Sequence, residues 1–457
     1  MILRKRLLQE LLSTLDAGES GVLIGASSMG KSRLLRILER EETRQAIRQS
    51  LQKEKASTSP PALPTLYIFV DFNRLHGRED WLYYEIMLSA LLRALDKWVA
   101  QHQEHPVHTV VERLYEQTVQ SKDSLLALRY LERGVGLLVE EFAGGVVFLM
   151  DETDATIREA PASFFRTLKA LRDEYKYRVR YLVSLRDEIA RIRENVDDIE
   201  PFYEYVTLHV FYIGPYSSDD AAYVLETLLE RHKQTWPPQL IHKIIDVSGG
   251  HPGLLRELHA WVTHNQRSLP EQLDVLLRES QIWEECVRLW QSLHRDEQQA
   301  LYQIANRGDL TGIPIEVVRI LSSKGLITVA HPSARIFSPL FAAFARQHAA
   351  GVEKGIKIQG GRVWVDGREV DLTRSELRLL EYLVHHAGEV CSREDLIQYV
   401  YKEEYDSTGG DIADMRLDSL IYRLREKVEP DRRHPRYILT IRGRGFKYAG
   451  PPRSGEP

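Results

Sequence analysis

Cysteine is scarce in this sequence of 457 residues, and long apolar runs and a strong excess of one charge are missing from it. Cys286 and Cys391 are its two cysteines, far apart and without metal-ligand spacing, which excludes a disulfide framework and a cysteine-built zinc site and points to reduced, structural thiols. No uninterrupted apolar stretch approaches the roughly 18 residues of a membrane span. The start, Met1-Ile2-Leu3-Arg4-Lys5-Arg6, has no signal-peptide core and soon meets an acid at Glu10. A net charge of −5 is small beside 61 basic and 66 acidic side chains, so the chain as a whole has no electrostatic footprint for nucleic acid. What is present is an ordinary globular composition, 43% hydrophobic and 28% charged, in a length that argues for two to four domains.

The most informative stretch is Gly25-Ala26-Ser27-Ser28-Met29-Gly30-Lys31-Ser32, a G-x-x-x-x-G-K-S phosphate-binding loop. Gly21-Val22-Leu23-Ile24 before it reads as a short buried strand, and Arg33 to Leu38 after it as an amphipathic helix, which is the setting the motif needs. Loop N–H groups and the positive end of the helix dipole then face the phosphates. The cradle is expected from Gly25, Ser27, Ser28, Met29, Gly30, Lys31, Ser32 and Arg33, with Lys31 on the β- and γ-phosphates and the Ser32 hydroxyl on Mg²⁺. Downstream, Val146-Val147-Phe148-Leu149-Met150-Asp151-Glu152 reads as a buried parallel strand ending in two acids. Asp151 is expected to hold Mg²⁺, and Glu152 to act as general base on the attacking water.

Further strands are predicted at Leu66–Asp71, Arg180–Arg186 and Val206–Ile213, and helices at 1–20, 81–97 and roughly 108–142. Residues 41–64 read as a polar loop or insertion ending in Ser57-Thr58-Ser59-Pro60-Pro61. Strands alternating with helices make a parallel sheet with helices on both faces. After Pro215 the chain turns helical: Ser217 caps a helix to about Arg231, and Ser248-Gly249-Gly250-His251-Pro252-Gly253 breaks before a further helix.

At these residues the chain resembles the STAND-type and initiator-like AAA+ ATPases over roughly residues 1–270. The resemblance implies an α/β P-loop core at 1–214 and a helical lid at 215–283, with ATP or ADP and Mg²⁺ as cofactors. It implies that Pro252 of the Gly250-His251-Pro252 turn lies near the adenine. Arg186 becomes a γ-phosphate sensor and Arg256 a second sensor. Residues 284–347, with helices at 284–293, 295–305 and 315–324 and a short hairpin, look like a first winged helix. Residues 348–355 read as a linker.

Between residues 416 and 447 ten lysines and arginines face four acids, a net +6 in an acidic protein. Leu372-Thr373-Arg374-Ser375-Glu376 is a capping box, Ser392 caps a second helix, residues 411–428 form a third, and Tyr437 to Tyr448 form a glycine-turned hairpin. With Leu372-Thr373-x-x-Glu376, Ile421-x-x-Leu424-Arg425-x-Lys427 and Thr440-x-Arg442-Gly443-x-Gly445-Phe446, residues 356–450 resemble the OmpR/PhoB-type winged-helix DNA-binding domain. Residues 451–457 are a tail. The resemblance implies that Ser419, Tyr422, Arg423 and Lys427 face the major groove of double-stranded DNA and that Thr440, Arg442 and Arg444 supply wing contacts; Arg425 is assigned a core role. The expectation is a transcription regulator of the prokaryotic cytosol or nucleoid, switched by slow Mg²⁺-dependent ATP hydrolysis and without a membrane partner. A protein or ligand effector and self-association are left open. A DNA-remodelling or loading ATPase and a nucleotide-dependent protein scaffold are the alternatives.

Overall fold

The computed structural model describes residues 2–55, 63–77, 79–102, 105–265, 268–348, 356–359, 362–365, 368–401, 410–429, 435–441 and 444–449. The chain divides into two compact units, one of Met1–Arg267, Arg288–His294 and Pro314–Val329, the other of Ser268–Val287, Arg295–Ile313 and Ala330–Pro457.

The first part of the chain runs α1 (Lys5–Asp16), β1 (Gly21–Ile24), α2 (Lys31–Glu39), α3 (Glu41–Lys55), β2 (Leu66–Asp71), α4 (Asp80–Val99), α5 (Pro106–Ser121), α6 (Ser124–Glu141), β3 (Val146–Asp151), α7 (Asp154–Glu159), α8 (Ala162–Tyr175) and β4 (Val179–Leu185). It continues through α9 (Ile189–Ile192), α10 (Glu200–Val206), β5 (Val210–Tyr212), α11 (Ser218–Arg231), α12 (Pro238–Ser248) and α13 (Pro252–Asn265). The five strands form one parallel sheet in the order β2-β3-β4-β1-β5. β1, β3 and β4 are buried along their whole length, as strands covered on both faces must be. Their alternate residues Ile24, Phe148, Met150, Tyr181 and Val183 join the core under α4, α6 and α8. Residues of opposite parity meet the helices of the other face, where Arg36 of α2 lies 4.0 Å over the Phe69 ring and Arg44 of α3 lies 3.9 Å over Tyr67. This is an α/β P-loop fold with a parallel sheet sandwiched between helices.

Several local expectations change. Residues 41–55 are helix α3, not loop: Glu41 and Glu42 sit favourably in its first turn, and buried Ile47 and Arg44 anchor it, Arg44 donating to the carbonyls of Leu38 and Glu39. The segment Ser57–Pro61 lies outside the described residues. The helix expected over 108–142 is two helices, because Lys122 takes φ 51° and Asp123 starts α6 by accepting from the Leu126 N–H. The expected strand at 206–213 shortens to β5, since α10 runs to Val206. The lid helix capped by Ser217 is α11, as expected, and α12 is an additional helix. Gly250, at φ 74°, lies where a Cβ would stand 2.3 Å from the Tyr216 carbonyl, so only glycine lets the turn pack there.

Beyond these come α14 (Leu273–Leu277), α15 (Ser280–Gln291), α16 (Arg295–Arg307), α17 (Ile315–Ser323), β6 (Ile327–Ala330), β7 (Ser333–Ile336) and α18 (Pro339–Gln347). In the first unit, α17 is tied to the loop after β4. Lys324, fully buried just past α17, lies 3.1 Å from Asp187, and Arg319 lies 2.7 Å from Glu188.

In the second unit, β8 (Ile356–Gln359), β9 (Arg362–Val365) and β10 (Arg368–Val370) form an antiparallel sheet. α19 (Arg374–His385), β11 (Val390–Cys391), α20 (Arg393–Val400), α21 (Gly410–Val428), β12 (Ile438–Ile441) and β13 (Gly445–Tyr448) follow, with sheet order β11-β13-β12. The capping box at Thr373 and Glu376 is formed in both directions, and Ser392 caps α20. Leu379, Leu383, Leu396, Leu420, Leu424 and Phe446 belong to its core. The turn at 366–367, the linker residues 349–355 and the tail 451–457 lie outside the described residues.

The Asp187–Lys324 pair sets a test. Lys324→Met leaves the buried Asp187 carboxylate with the more distant Arg191 (3.5 Å) alone and should cost about 3 kcal/mol, whereas Asp187→Asn combined with Lys324→Met should recover part of it. Chemical denaturation of the three proteins measures both values.

Candidate nucleotide site and nucleic-acid interface

The site is assembled at the C-terminal ends of β1, β3 and β4. Gly25 opens the phosphate loop against β5: a Cβ there would lie 2.4 Å from Ile213. Gly30, at φ 88°, turns the loop into α2. Lys31 is 6% exposed and donates to the carbonyls of Gly25 (2.6 Å) and Ala26 (3.2 Å). Burial pushes its ammonium down to about 8, against the pull of Asp154, Glu152 and Asp151. A cation so placed gains from an anion arriving in the loop.

Asp151 is 3% exposed, and its Oδ1 has no hydrogen-bond partner. Burial raises its carboxyl above the ordinary range, and a hydrogen bond from Ser32 opposes that. A hydroxyl and an unsatisfied buried carboxylate side by side are the oxygen donors a Mg²⁺ ion takes from protein when substrate phosphates supply the rest. Among the described residues no group of three His, Cys, Asp or Glu could hold a metal unaided.

Glu152 sits in the left-handed region at φ 53° and places Oε2 2.9 Å from the Arg186 guanidinium. Arg186 thus stands beside the acid expected to act as base. Asp154 completes the group: it accepts the Arg186 backbone N–H at 2.9 Å, and burial raises its carboxyl. Asp154 lies two residues past the recognised acids, in Asp151-Glu152-Thr153-Asp154, and nothing in the local pattern marks it.

Two other residues escaped the sequence reading. The Ser27 N–H donates to the Ser292 hydroxyl at 3.0 Å, and the Ser27 carbonyl lies 3.2 Å from His251 Nε2. The Leu254 N–H donates to His251 Nδ1 at 3.2 Å, which leaves the ring proton on Nε2 to bond Ser27. The turn Gly250-His251-Pro252 was noticed, but it is the histidine that touches the loop. Ser292, in an unremarkable stretch after α15, gives no local signal at all. Met29 is buried and offers only its backbone, while Arg33 is exposed at the start of α2. Pro252 starts α13, and Arg256, exposed, pairs with its neighbour Glu257 at 3.0 Å. Among the described residues the expected second sensor is held by that neighbouring acid rather than by the phosphate loop.

In the second unit, α21 turns Leu417, Leu420, Ile421, Leu424 and Val428 inward and leaves Ser419, Tyr422 and Arg423 exposed. Arg425 is structural, though not through a salt bridge: it donates to the Ile438 carbonyl (3.0 Å) and to Thr440 Oγ1 (2.8 Å). Thr440 is therefore engaged with the helix. Lys427, expected at the major groove, is engaged within the domain. Its ammonium bonds the Glu376 carboxylate of the capping box at 2.7 Å and the Asp371 carbonyl at 3.1 Å. Burial alone would raise the Glu376 carboxyl, but Lys427 and Thr373 bring it below its ordinary value. Glu429 collects the N–H groups of Arg436, Tyr437 and Ile438 at 2.6–3.0 Å, locking the end of α21 to β12. Arg444 is exposed at the turn between β12 and β13, and Arg442 lies outside the described residues.

Residues 367–448 match the family model described as "Transcriptional regulatory protein, C terminal". The C-terminal region is an OmpR/PhoB-type DNA-binding domain. Among solved structures, the RstA DNA-binding domain of Klebsiella pneumoniae in complex with the RstA box is similar to it at 26% identity, covering 21% of this chain and 91% of that one, with a TM-score of 0.18. The Walker-type ATPase of Pyrococcus abyssi is similar at 18% identity over 75% of this chain and 94% of that one, TM-score 0.47. The Aeropyrum pernix ORC2 protein is similar at 17% identity over 75% and 92%, TM-score 0.41. Among the described residues no helix is long and apolar enough to cross a membrane. The OmpR/PhoB-type domain shares its chain with an α/β P-loop fold.

The buried His251 gives a pH test. Burial lowers its imidazole to about 4, with the Ser27 bond opposing and nearby Arg4 and Arg256 adding to the effect. Its folded value lies below its unfolded value, so the stability it contributes is complete above about pH 6.5 and is lost as pH falls toward 4, by about 3 kcal/mol. Melting temperatures across that window should fall more steeply for the natural protein than for His251→Gln.

Proposed function

We propose that this chain is a DNA-binding transcription regulator switched by ATP. The observation that carries the proposal is the meeting of Lys31, Ser32, Asp151, Glu152 and Arg186 at one sheet edge, in a chain that also holds an OmpR/PhoB-type DNA-binding domain. The phosphate loop binds the nucleotide, and Lys31 exchanges the carbonyls of Gly25 and Ala26 for β- and γ-phosphate oxygens. Ser32 and Asp151 would hold Mg²⁺, which would offset the negative charge of the phosphates. Arg186 turns from Glu152 to the γ-phosphate, and Glu152, released, accepts a proton from the attacking water.

Because Glu152 and Arg186 are paired at the outset, the base is restrained until a γ-phosphate competes for the arginine. That favours slow turnover, as suits a switch. A switch also requires contacts that differ between nucleotide states. Arg186 supplies one, and its chain neighbours Asp187 and Glu188 carry the change to Lys324 and Arg319 at α17.

Lys31→Ala should abolish ATP binding, since the loop loses its phosphate-facing cation. Glu152→Gln should bind ATP normally and hydrolyse it about 10²–10⁴-fold more slowly. Nucleotide titration and phosphate release separate the two effects; hydrolysis by the Gln variant at the natural rate would remove Glu152 as base. DNA affinity should also differ between the ADP and ATP states by about 1–3 kcal/mol. Titrating one duplex with protein in each state measures this, and equal affinities would leave two independent modules on one chain.

A further inference from the structure

Ser28 is a strained residue in the middle of the phosphate loop. It takes φ 59°, in the left-handed region, where a residue with a Cβ is destabilised and glycine is not. Gly30, at φ 88°, meets the same backbone demand with the residue suited to it. A conformation like that of Ser28 persists only where its surroundings over-determine it. On one side the loop is fixed by α2, where the Gly30 carbonyl accepts the Leu34 N–H and Met29 is fully buried. On the other side it is fixed through Ser27, whose N–H is held by Ser292 and whose carbonyl is held by His251. The peptide units before and after Ser27 are therefore both pinned. Ser28, Met29 and Gly30 are left to join two fixed ends, and the left-handed turns at Ser28 and Gly30 are how they do it.

Both holding groups are themselves oriented. The Ser292 hydroxyl donates its one proton to the Leu289 carbonyl at 2.7 Å, so it meets the Ser27 N–H with a lone pair. His251 is fully buried, and with Nδ1 taken by the Leu254 N–H its Nε2 is the donor toward Ser27. We infer that Ser292 and His251 are positioning residues that hold Ser28 left-handed and so keep the loop amides in the arrangement that receives phosphate. Affinity gained in this way comes from preorganisation, because the free energy of shaping the loop is not taken from the ligand. The two residues act through the Ser27 backbone, from 224 and 265 residues further along the chain. This deepens the nucleotide site proposed above and rests on it: whatever shifts the lid turn or the segment after α15 also shifts the affinity for nucleotide.

The test reads binding rather than turnover. ADP carrying a fluorophore on its ribose is titrated, with Mg²⁺, into the full-length natural protein, Ser292→Ala, Ser28→Gly and the double variant, and melting curves confirm that each is folded. Ser292→Ala should bind about tenfold more weakly, the scale of one hydrogen bond and one left-handed residue. In the Ser28→Gly background glycine takes positive φ without the penalty of a Cβ, so there the loss of the Ser292 hydroxyl should weaken binding by less than about threefold. Without nucleotide, amide exchange across residues 26–32 should be faster in Ser292→Ala than in the natural protein. Equal affinities of the natural protein and Ser292→Ala would overturn the inference. An equal loss in both backgrounds would overturn it too, since Ser292 would then act otherwise than through Ser28. A natural protein that does not bind the ADP probe would remove the nucleotide reading itself.

Discussion

The phosphate-loop end of this protein depends on one constraint, the parallel pairing of β4 between β3 and β1. Met150 pairs with Val183, and Ile24 with Leu185, so three strands distant in sequence finish at the same level. Only then do the phosphate loop, the Asp151-Glu152 pair and Arg186 become neighbours. The price of that convergence is visible as polar groups held under tension: an ammonium lowered by burial, two carboxyls raised by it, and an unpartnered oxygen on Asp151. A site in this condition is built for a charged visitor, because the groups that destabilise it alone are those that phosphate and a divalent cation satisfy.

Much of this was legible in the sequence where function and local pattern coincide. The phosphate loop carries its own glycines and lysine, β3 is an unbroken apolar run, and Thr373 and Glu376 announce a helix start by their spacing. What escaped has no local signature. α3 is polar and half-exposed, so its composition resembles loop, and the Leu15 carbonyl that anchors buried Arg180 lies 165 residues away. His251 and Ser292 act on the phosphate loop only through tertiary placement. Asp154 was close to the recognised acids, yet its role depends on the Arg186 backbone from another strand.

The C-terminal domain shows how composition overstates a charged surface. A net +6 over residues 416–447 suggests a uniformly basic face, but charge in sequence is not charge at the surface. Lys427 closes the capping box of a different helix, and Arg425 fastens α21 to β12. Glu429, counted among the opposing acids, is buried and bonded to three backbone N–H groups. Among the described residues of this stretch, Arg416, Arg423, Arg436 and Arg444 are the exposed arginines.

The grip on Ser27 also bears on how the protein is made. Its carbonyl partner, His251, lies 224 residues further along the chain, and its N–H partner, Ser292, 265 residues further. At about 5–20 residues per second, a ribosome needs roughly 15–50 s to deliver the second after the first strand has emerged. For most of that interval the loop lacks both braces, His251 arriving shortly before Ser292. The brace on Ser27 is thus among the late contacts of synthesis, closing only after every strand of the sheet that carries the loop has been made.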